Sequence, residues 1–383
     1  MKLLFCYDGP MDVDKDGNAY PQTFTEDMLS RYYSICDKLT ILTRTNVINK
    51  SSSKVPRANM KDLKVVDCPN LTSLKGRIID RFKARNLIIE EMLCNEYVII
   101  RLPSQIGNLA LDIAIEMNKP YLVEVVACRF DTLWNHSLLG KIIAPYEFFK
   151  TKRKIKKAAS VMYITENFLQ RRYPTTGEMF ACSDVALKPL DSNVLKNRYK
   201  FIEMMSTRKR ISIASIGAVN MRYKGHEYMI KAVYMLIHQG YKVEYHLVGG
   251  GNSEYLKRLV DKLELRNNVF MHGVIPHDTI FNFLDNIDIY VQPSIAEAQG
   301  RSLIEAMSRG CPSVCTNVGG MPELLPKNFI SKKGNPRDLA EKIILILNSD
   351  MKNIAHRNFE YARRFDANVI KKYYLNMYRN IFK

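Results

Sequence analysis

No apolar run in the chain is long enough to span a bilayer; the longest, such as Ile343 to Leu347, fall far short of the roughly 20 residues a membrane helix requires. The N-terminal Leu3 to Tyr7 meets Asp8 before it can serve as a signal-peptide core. A cytoplasmic location is therefore expected. The eight cysteines include no C-x-x-C pair, and Cys311 and Cys315 have no histidine near them at ligand spacing. That pattern excludes a disulfide framework and a zinc site, and reads as reduced core thiols. Zinc-finger spacing, an aromatic RNP-like strand and a recognition-helix pattern are also missing, so no nucleic-acid partner is expected. Neither an internal repeat nor a low-complexity tract interrupts the chain. Acidic residues are few, 39 against 57 lysines and arginines, and the net charge of +18 implies attraction to something anionic. With nucleic acid set aside, a membrane surface or a phosphorylated substrate remains.

At 383 residues the chain exceeds what one hydrophobic core usually organises, and 46% apolar with 25% charged residues is ordinary for a globular protein. Two domains are expected. Short apolar runs at Leu3 to Tyr7, Leu39 to Leu42, Leu63 to Val66, Tyr97 to Ile100, Tyr121 to Val126 and Ser160 to Ile164 read as strands. Helix-period segments such as Arg77 to Cys94 and Ile106 to Met117 lie between them, the pattern of a parallel, doubly wound α/β sheet. A second series follows at Ile211 to Ile216, Val243 to Val248, Val269 to His272, Ile287 to Val291 and Ser313 to Thr316. We place a first domain at residues 1–190, a basic linker at 191–210 and a second domain at 211–365.

The most informative segment is Ser294-Ile295-Ala296-Glu297-Ala298-Gln299-Gly300-Arg301-Ser302-Leu303-Ile304-Glu305. A strand runs into a glycine turn and then a helix, which sets carboxylates and free backbone amides at the carboxyl edge of a sheet, where α/β proteins bind ligands. The segment resembles the E-x7-E signature of retaining, nucleotide-sugar-dependent glycosyltransferases with two Rossmann-like domains, the GT-B fold, in the family 4-like group of glycosyl transferases (group 1). Further elements fall in that family's order: Gly217 after the first strand of the second domain, Arg222 and Lys224 in the loop beyond it, Gly249 and Gly250, then Gly273 and Val274, then Gly319 and Gly320.

The resemblance implies a nucleotide-diphosphate sugar as donor, with no cofactor and no metal. Lys224 matches the family's phosphate-binding lysine, whereas the usual arginine position is Ala218; Arg222 is the candidate replacement, and a solvated loop cation is its alternative. Glu297 is expected to orient the transferred sugar, and Glu305 to hold the ribose. Amides around Gly300, Arg301 and Ser302 are placed for the diphosphate. Helix phase sets Glu305 opposite Leu303, Ile304 and Met307, so a plain salt bridge on a solvated face explains it too. Gly249 and Gly250 permit close backbone approach, and Gly273 with Val274 matches the loop that recognises the base.

In the first domain, Gly9 and Glu124 are the acceptor-side candidates, an ordinary turn and a structural ion pair being their alternatives. His136 lies in the same neighbourhood. Asp12-Val13-Asp14 matches a D-x-D metal string only weakly. The segment 366–383 has apolar positions at helical spacing, and the resemblance implies that it crosses back to the first domain. Phe148 to Ala159 carries six cations beside an apolar stripe through Phe148, Ile155 and Ala159; such a helix lies either on an anionic membrane or against its own core. The function so implied is retaining, metal-independent transfer of a sugar to a glycan or polyprenyl-linked acceptor in surface polysaccharide synthesis. A sugar-nucleotide epimerase of similar fold and a non-catalytic nucleotide-sugar-binding protein are its rivals.

Overall fold

The computed structural model describes residues 1–21, 26–48, 57–58, 60–135, 137–208 and 210–382. The chain divides into two compact units, Met1–Asp184 with Lys371–Lys383, and Val185–Ile370.

In chain order the first unit contains strands β1 (Lys2–Cys6), β2 (Met11–Val13), β3 (Ala19–Tyr20), β4 (Lys38–Thr43), β5 (Thr45–Val47), β6 (Leu63–Asp67), β7 (Tyr97–Leu102), β8 (Tyr121–Val125), β9 (Ser160–Tyr163) and β10 (Glu178–Ala181). Seven of them form one sheet in the order β10-β9-β8-β7-β1-β4-β6, with every neighbouring pair parallel. Such a sheet is covered on both faces, which is why β1, β7 and β8 read as near-continuous apolar runs. Leu3 to Cys6, Val98 to Ile100, Leu122 and Val123 are fully buried. A small second sheet, β3-β2-β5, escaped sequence reading because its strands have only two or three residues.

Helix Gln105–Glu116 follows β7. It starts where it does because two side chains satisfy its orphan amides: Ser104 Oγ accepts from Gly107 N at 2.8 Å, and the Asp8 carboxylate accepts from Gln105 N and from Ile106 N, the latter at 3.0 Å. The terminal helix Ala367–Ile381 begins in the second unit, and its residues from Lys371 belong to the first. There Tyr374, Met377 and Tyr378 are buried, and Phe382 packs its ring 4.6 Å from that of Tyr97.

The second unit holds β11 (Ile211–Ile216), β12 (Val243–Val248), β13 (Val269–Gly273), β14 (Ile289–Gln292), β15 (Ser313–Thr316) and β16 (Ile330–Ser331), parallel throughout in the order β13-β12-β11-β14-β15-β16. Its core is built on Ile213, Tyr245, Leu247, Ile289 and Val291 with the helix His226–His238 on one side, and on Leu303, Ile304 and Met307 on the other.

The expected linker at 191–210 is corrected. Asp191 caps a helix, Ser192–Glu203, whose Arg198 is buried and donates to the carbonyls of Arg309, Ile287 and Leu284 at 2.9, 2.6 and 2.8 Å. A buried arginine that satisfies carbonyls is indistinguishable from a solvated one in sequence, and the segment therefore reads as irregular and basic.

Candidate active site

The sheet of the second unit converges its strand-end loops on Glu297. From β11 the chain passes Gly217 into a short 3-10 turn, Arg222–Lys224, and Gly225 then opens the helix His226–His238 with φ of +74°. A Cβ on Gly225 would lie 1.9 Å from the Pro293 carbonyl oxygen, so only glycine lets this turn touch the loop leaving β14. Ile295 N also donates to the Tyr223 carbonyl at 2.6 Å. The loop from β15 closes in from the other side: Gly320 N donates to Ala298 O at 2.7 Å, and a Cβ on Gly319, whose φ is +61°, would lie 1.8 Å from Glu297 O.

Held between these turns, the Glu297 carboxylate meets the Lys224 ammonium, Nζ to Oε2, at 2.8 Å. Both side chains are about four-fifths buried, 20% and 17% exposed, in surroundings where a charge pair is worth more than in water. Behind Glu297 runs a buried relay on alternate residues: the Tyr290 hydroxyl donates to Gln292 Oε1, Gln292 Nε2 donates to Ser294 Oγ at 3.0 Å, and Ser294 Oγ donates to Glu297 Oε2 at 3.4 Å. Sequence reading gave these three residues no role at the site. Their signal was the two-residue period that places Tyr290, Gln292 and Ser294 on one face of the strand end.

His226 is also buried beneath the site, its Nε2 3.2 Å from Gly217 O and its Nδ1 3.4 Å from the Tyr245 hydroxyl. Burial pushes its pKa down to about 4, so the ring is neutral at pH 7 and supports the loop without charge.

Arg222 does not join the pair. Its guanidinium lies 4.9 Å over the Tyr255 ring, and among the described residues it makes no ion pair, so a single loop cation, Lys224, meets Glu297. Gly300 opens the helix Arg301–Ser308 with φ of +90°, where a Cβ would come 2.9 Å from Met321 Cγ. Arg301 is exposed, and Ser302 is half-buried in the first turn. Glu305 is not free on a solvated face: its side chain is 16% exposed, and Oε1 lies 3.4 Å from His277 Nε2. That hydrogen bond raises the His277 pKa above the usual imidazole value.

The remaining glycines gather beside Gly217. Gly249 N donates to Gly273 O at 2.8 Å, Val219 N donates to Gly250 O at 2.9 Å, and a Cβ on Gly249 would strike Gly217 O at 1.9 Å. Val274, whose side chain would meet a Cβ on Gly250 at 2.9 Å, is 76% exposed. The second unit thus brings Gly217, Lys224 and Glu297 together, and Gly249, Gly250, Gly273 and Val274 together.

In the first unit Glu124 sits in the structural ion pair weighed as its alternative. It is fully buried, accepting from Arg101 Nη1 at 2.8 Å, Arg31 Nη2 at 3.2 Å and the Tyr32 hydroxyl at 3.0 Å. Asp184 completes the cluster, paired to both arginines. Arg31 Nη1 also donates to Tyr374 of the terminal helix at 2.7 Å. Gly9 is buried, and its carbonyl accepts from Thr43 Oγ1. His136 lies outside the described residues. In the D-x-D string, Asp12 accepts from Asn46 Nδ2 at 3.1 Å, while Asp14 closes a turn by accepting from Asn18 N and Nδ2 and the Tyr20 hydroxyl at 2.8, 2.8 and 2.9 Å. Burial opposes the Asp14 charge, but the bonds from Asn18, Tyr20 and the Asp16 amide outweigh it and bring its pKa down to about 2. Among the described residues no group of three or more metal-ligating side chains is placed to hold an ion.

Two parallel, doubly wound α/β units with the terminal helix returning to the first define the GT-B fold, and the comparisons agree. HepE of Anabaena, solved in complex with UDP, superposes with a TM-score of 0.68 at 16% identity over 99% of this chain and 100% of its own, which speaks for the fold. A model of the family described as glycosyl transferases group 1 matches residues 205–368. Protein CapJ of Staphylococcus aureus is 34% identical over 355 residues, 90% of this chain and 85% of CapJ. An N,N'-diacetylbacillosaminyl-diphospho-undecaprenol alpha-1,3-N-acetylgalactosaminyltransferase of Campylobacter jejuni is 30% identical over 147 residues, 37% of this chain and 38% of that protein. The chain belongs to the glycosyl transferases group 1 family and is a glycosyltransferase.

Proposed function

We propose that the protein moves a sugar, with retention of anomeric configuration and without a metal ion, from a nucleotide-diphosphate sugar to a glycan or polyprenyl-linked acceptor in bacterial-type surface polysaccharide synthesis. The observation that carries this reading is the Lys224–Glu297 pair at 2.8 Å, held at the carboxyl edge of the second sheet by turns from three strands. An ammonium has three donors, and Glu297 takes one of them. Lys224 therefore retains donors for the departing diphosphate, whose charge grows as the bond from the anomeric carbon to the phosphate oxygen breaks. The amides opening helix Arg301–Ser308 supply further positive potential. The new bond forms between the anomeric carbon and the acceptor oxygen, and the acceptor proton passes to the leaving phosphate oxygen. Glu297, aligned by the relay from Tyr290, orients the sugar, and Glu305 accepts from the ribose hydroxyls.

The HepE complex supports a uridine diphosphate donor, and the Campylobacter relative, by its name, acts on a diphospho-undecaprenol-linked sugar, which supports the acceptor class. The epimerase rival requires working carboxylates in the first unit; Glu124 there is buried and held by two arginines. The test combines labelled UDP- and GDP-sugars, a polyprenyl-diphosphate-linked acceptor and NMR of the product anomer, with and without EDTA. Transfer with retained configuration that survives EDTA, and falls about 10²–10³-fold in Lys224→Ala, is expected. Epimer interconversion without acceptor, inverted product, or EDTA-sensitive transfer refutes the corresponding part.

A further inference from the structure

The first unit carries an exposed apolar surface that its fold does not use. Helix Leu138–Lys156 turns Gly140, Ala144, Glu147, Thr151 and Ile155 inward. Its outward face shows Leu138 at 80%, Leu139 at 65%, Ile142 at 77%, Tyr146 at 65% and Phe149 at 58% exposure. These positions recur every three or four residues and form one stripe along the helix. Of the stripe through Phe148, Ile155 and Ala159, Ile155 takes the core alternative and Phe148 is partly covered, so a different set of apolar residues looks outward.

Arg77 pairs with the inward-facing Glu147 at 2.7 Å, tying the short helix Leu74–Ile78 to the buried side of Leu138–Lys156; Ile78, Ile79 and Phe82, on and after that short helix, are 80%, 63% and 73% exposed. Trp134, 41% exposed, stands beside Lys141, whose Nζ lies 6.0 Å from its ring centroid. Isolated exposed apolar residues are ordinary, but five large ones in one stripe on a single helix are not.

The charges beside the patch select what covers it. Between Leu138 and Lys157 there are seven cations and one acid, Glu147, which is buried and paired. The cations follow the apolar residues along the same helix, with Arg153, Lys156 and Lys157 exposed beyond Phe149. Apolar side chains running into a basic end match an acyl boundary beneath anionic headgroups. No helix among the described residues is long and apolar enough to cross a membrane.

We infer that this face, Leu138 to Phe149, docks the enzyme in-plane on an anionic lipid bilayer, its basic end at the headgroups. The inference deepens the polyprenyl-acceptor reading and rests on it for its purpose, since a membrane-bound acceptor is presented where the enzyme sits.

The test is flotation of the full-length protein with vesicles of phosphatidylcholine containing 30% phosphatidylglycerol, and with phosphatidylcholine alone. Binding to the anionic vesicles is expected, weakened at least tenfold in Leu138→Ser/Ile142→Ser/Phe149→Ser and in Arg153→Ser/Lys156→Ser/Lys157→Ser, each with an unchanged melting temperature. No binding by the wild type, or equal binding by folded variants, overturns the inference. A wild-type dimer in light scattering that the apolar variant dissolves also overturns it, by assigning the face to a second copy. A nucleotide-sugar thermal shift run in parallel separates the two readings: a shift without flotation sinks the docking face alone, and flotation without a shift sinks the donor reading alone.

Discussion

The cluster around Glu124 yields the sharpest test, because it separates a structural from a catalytic carboxylate. Arg31, Arg101, Glu124 and Asp184 balance to zero charge with side-chain exposures of 10%, 9%, 0% and 16%. Burial raises the Asp184 pKa, but Arg101 and Arg31 outweigh it and hold the carboxyl below its usual value. In Glu124→Gln the shape is kept, while two guanidiniums are left with one carboxylate, and the amide NH2 faces donors from Arg31, Arg101 and Tyr32. Removing one partner of a buried pair costs about 3–5 kcal/mol. At about 2–4 °C per kcal/mol for a unit of this size, the first unit should melt about 6–20 °C lower. Calorimetry with and without nucleotide sugar reads this directly: the first-unit transition falls, and the ligand-stabilised second-unit transition stays. An unchanged melt with transfer abolished would show that Glu124 works on the acceptor and that the cluster is not what holds Tyr374 and the terminal helix to the first unit.

Gly319→Ala should lose donor binding in isothermal titration, since the left-handed φ alone costs an alanine about 1–2 kcal/mol and its Cβ would strike Glu297 O. Arg222→Ala, which loses only its stack on Tyr255, should lower kcat less than tenfold, against about 10²-fold or more for Lys224→Ala. The His226 pKa of about 4 lies below the unfolded value, so the unfolded chain takes up a proton the folded one refuses as pH falls from 6.5. Urea melts of the second unit should lose about 2 kcal/mol between pH 6.5 and 5, and His226→Gln should flatten that slope. His277 titrates the other way: Glu305 raises its pKa, so the contact is complete at low pH and is lost as pH rises through the raised value. The donor KM should then fall from pH 6 to 8.5 in the wild type and stay level in His277→Ala.

Much of this architecture was legible in the sequence. The runs Leu3 to Cys6 and Ile289 to Val291 are buried on both faces of their sheets, and burial of that kind writes itself as an unbroken apolar run. Gly300 and Gly319 could be read as turn-forming at the site because each stands at a positive φ that other residues resist. Two placements were illegible for one reason. Arg198 and Glu124 are charged, and a single sequence does not say whether a charge is solvated or buried against partners distant along the chain. Arg198 meets carbonyls at 284, 287 and 309, and Glu124 meets residues 31, 32 and 101.

By itself, then, the sequence determined the class of fold and the family, because strand periodicity, glycine turns and the spacing from Glu297 to Glu305 are local along the chain. Tertiary structure decided which cation meets Glu297, that Glu305 faces His277, that Glu124 is locked between arginines, and which side of Leu138–Lys156 looks outward. Each of these depends on the rotation of a helix or the approach of a loop tens of residues away. Such placements follow from the packing of the whole unit, and no local pattern records them.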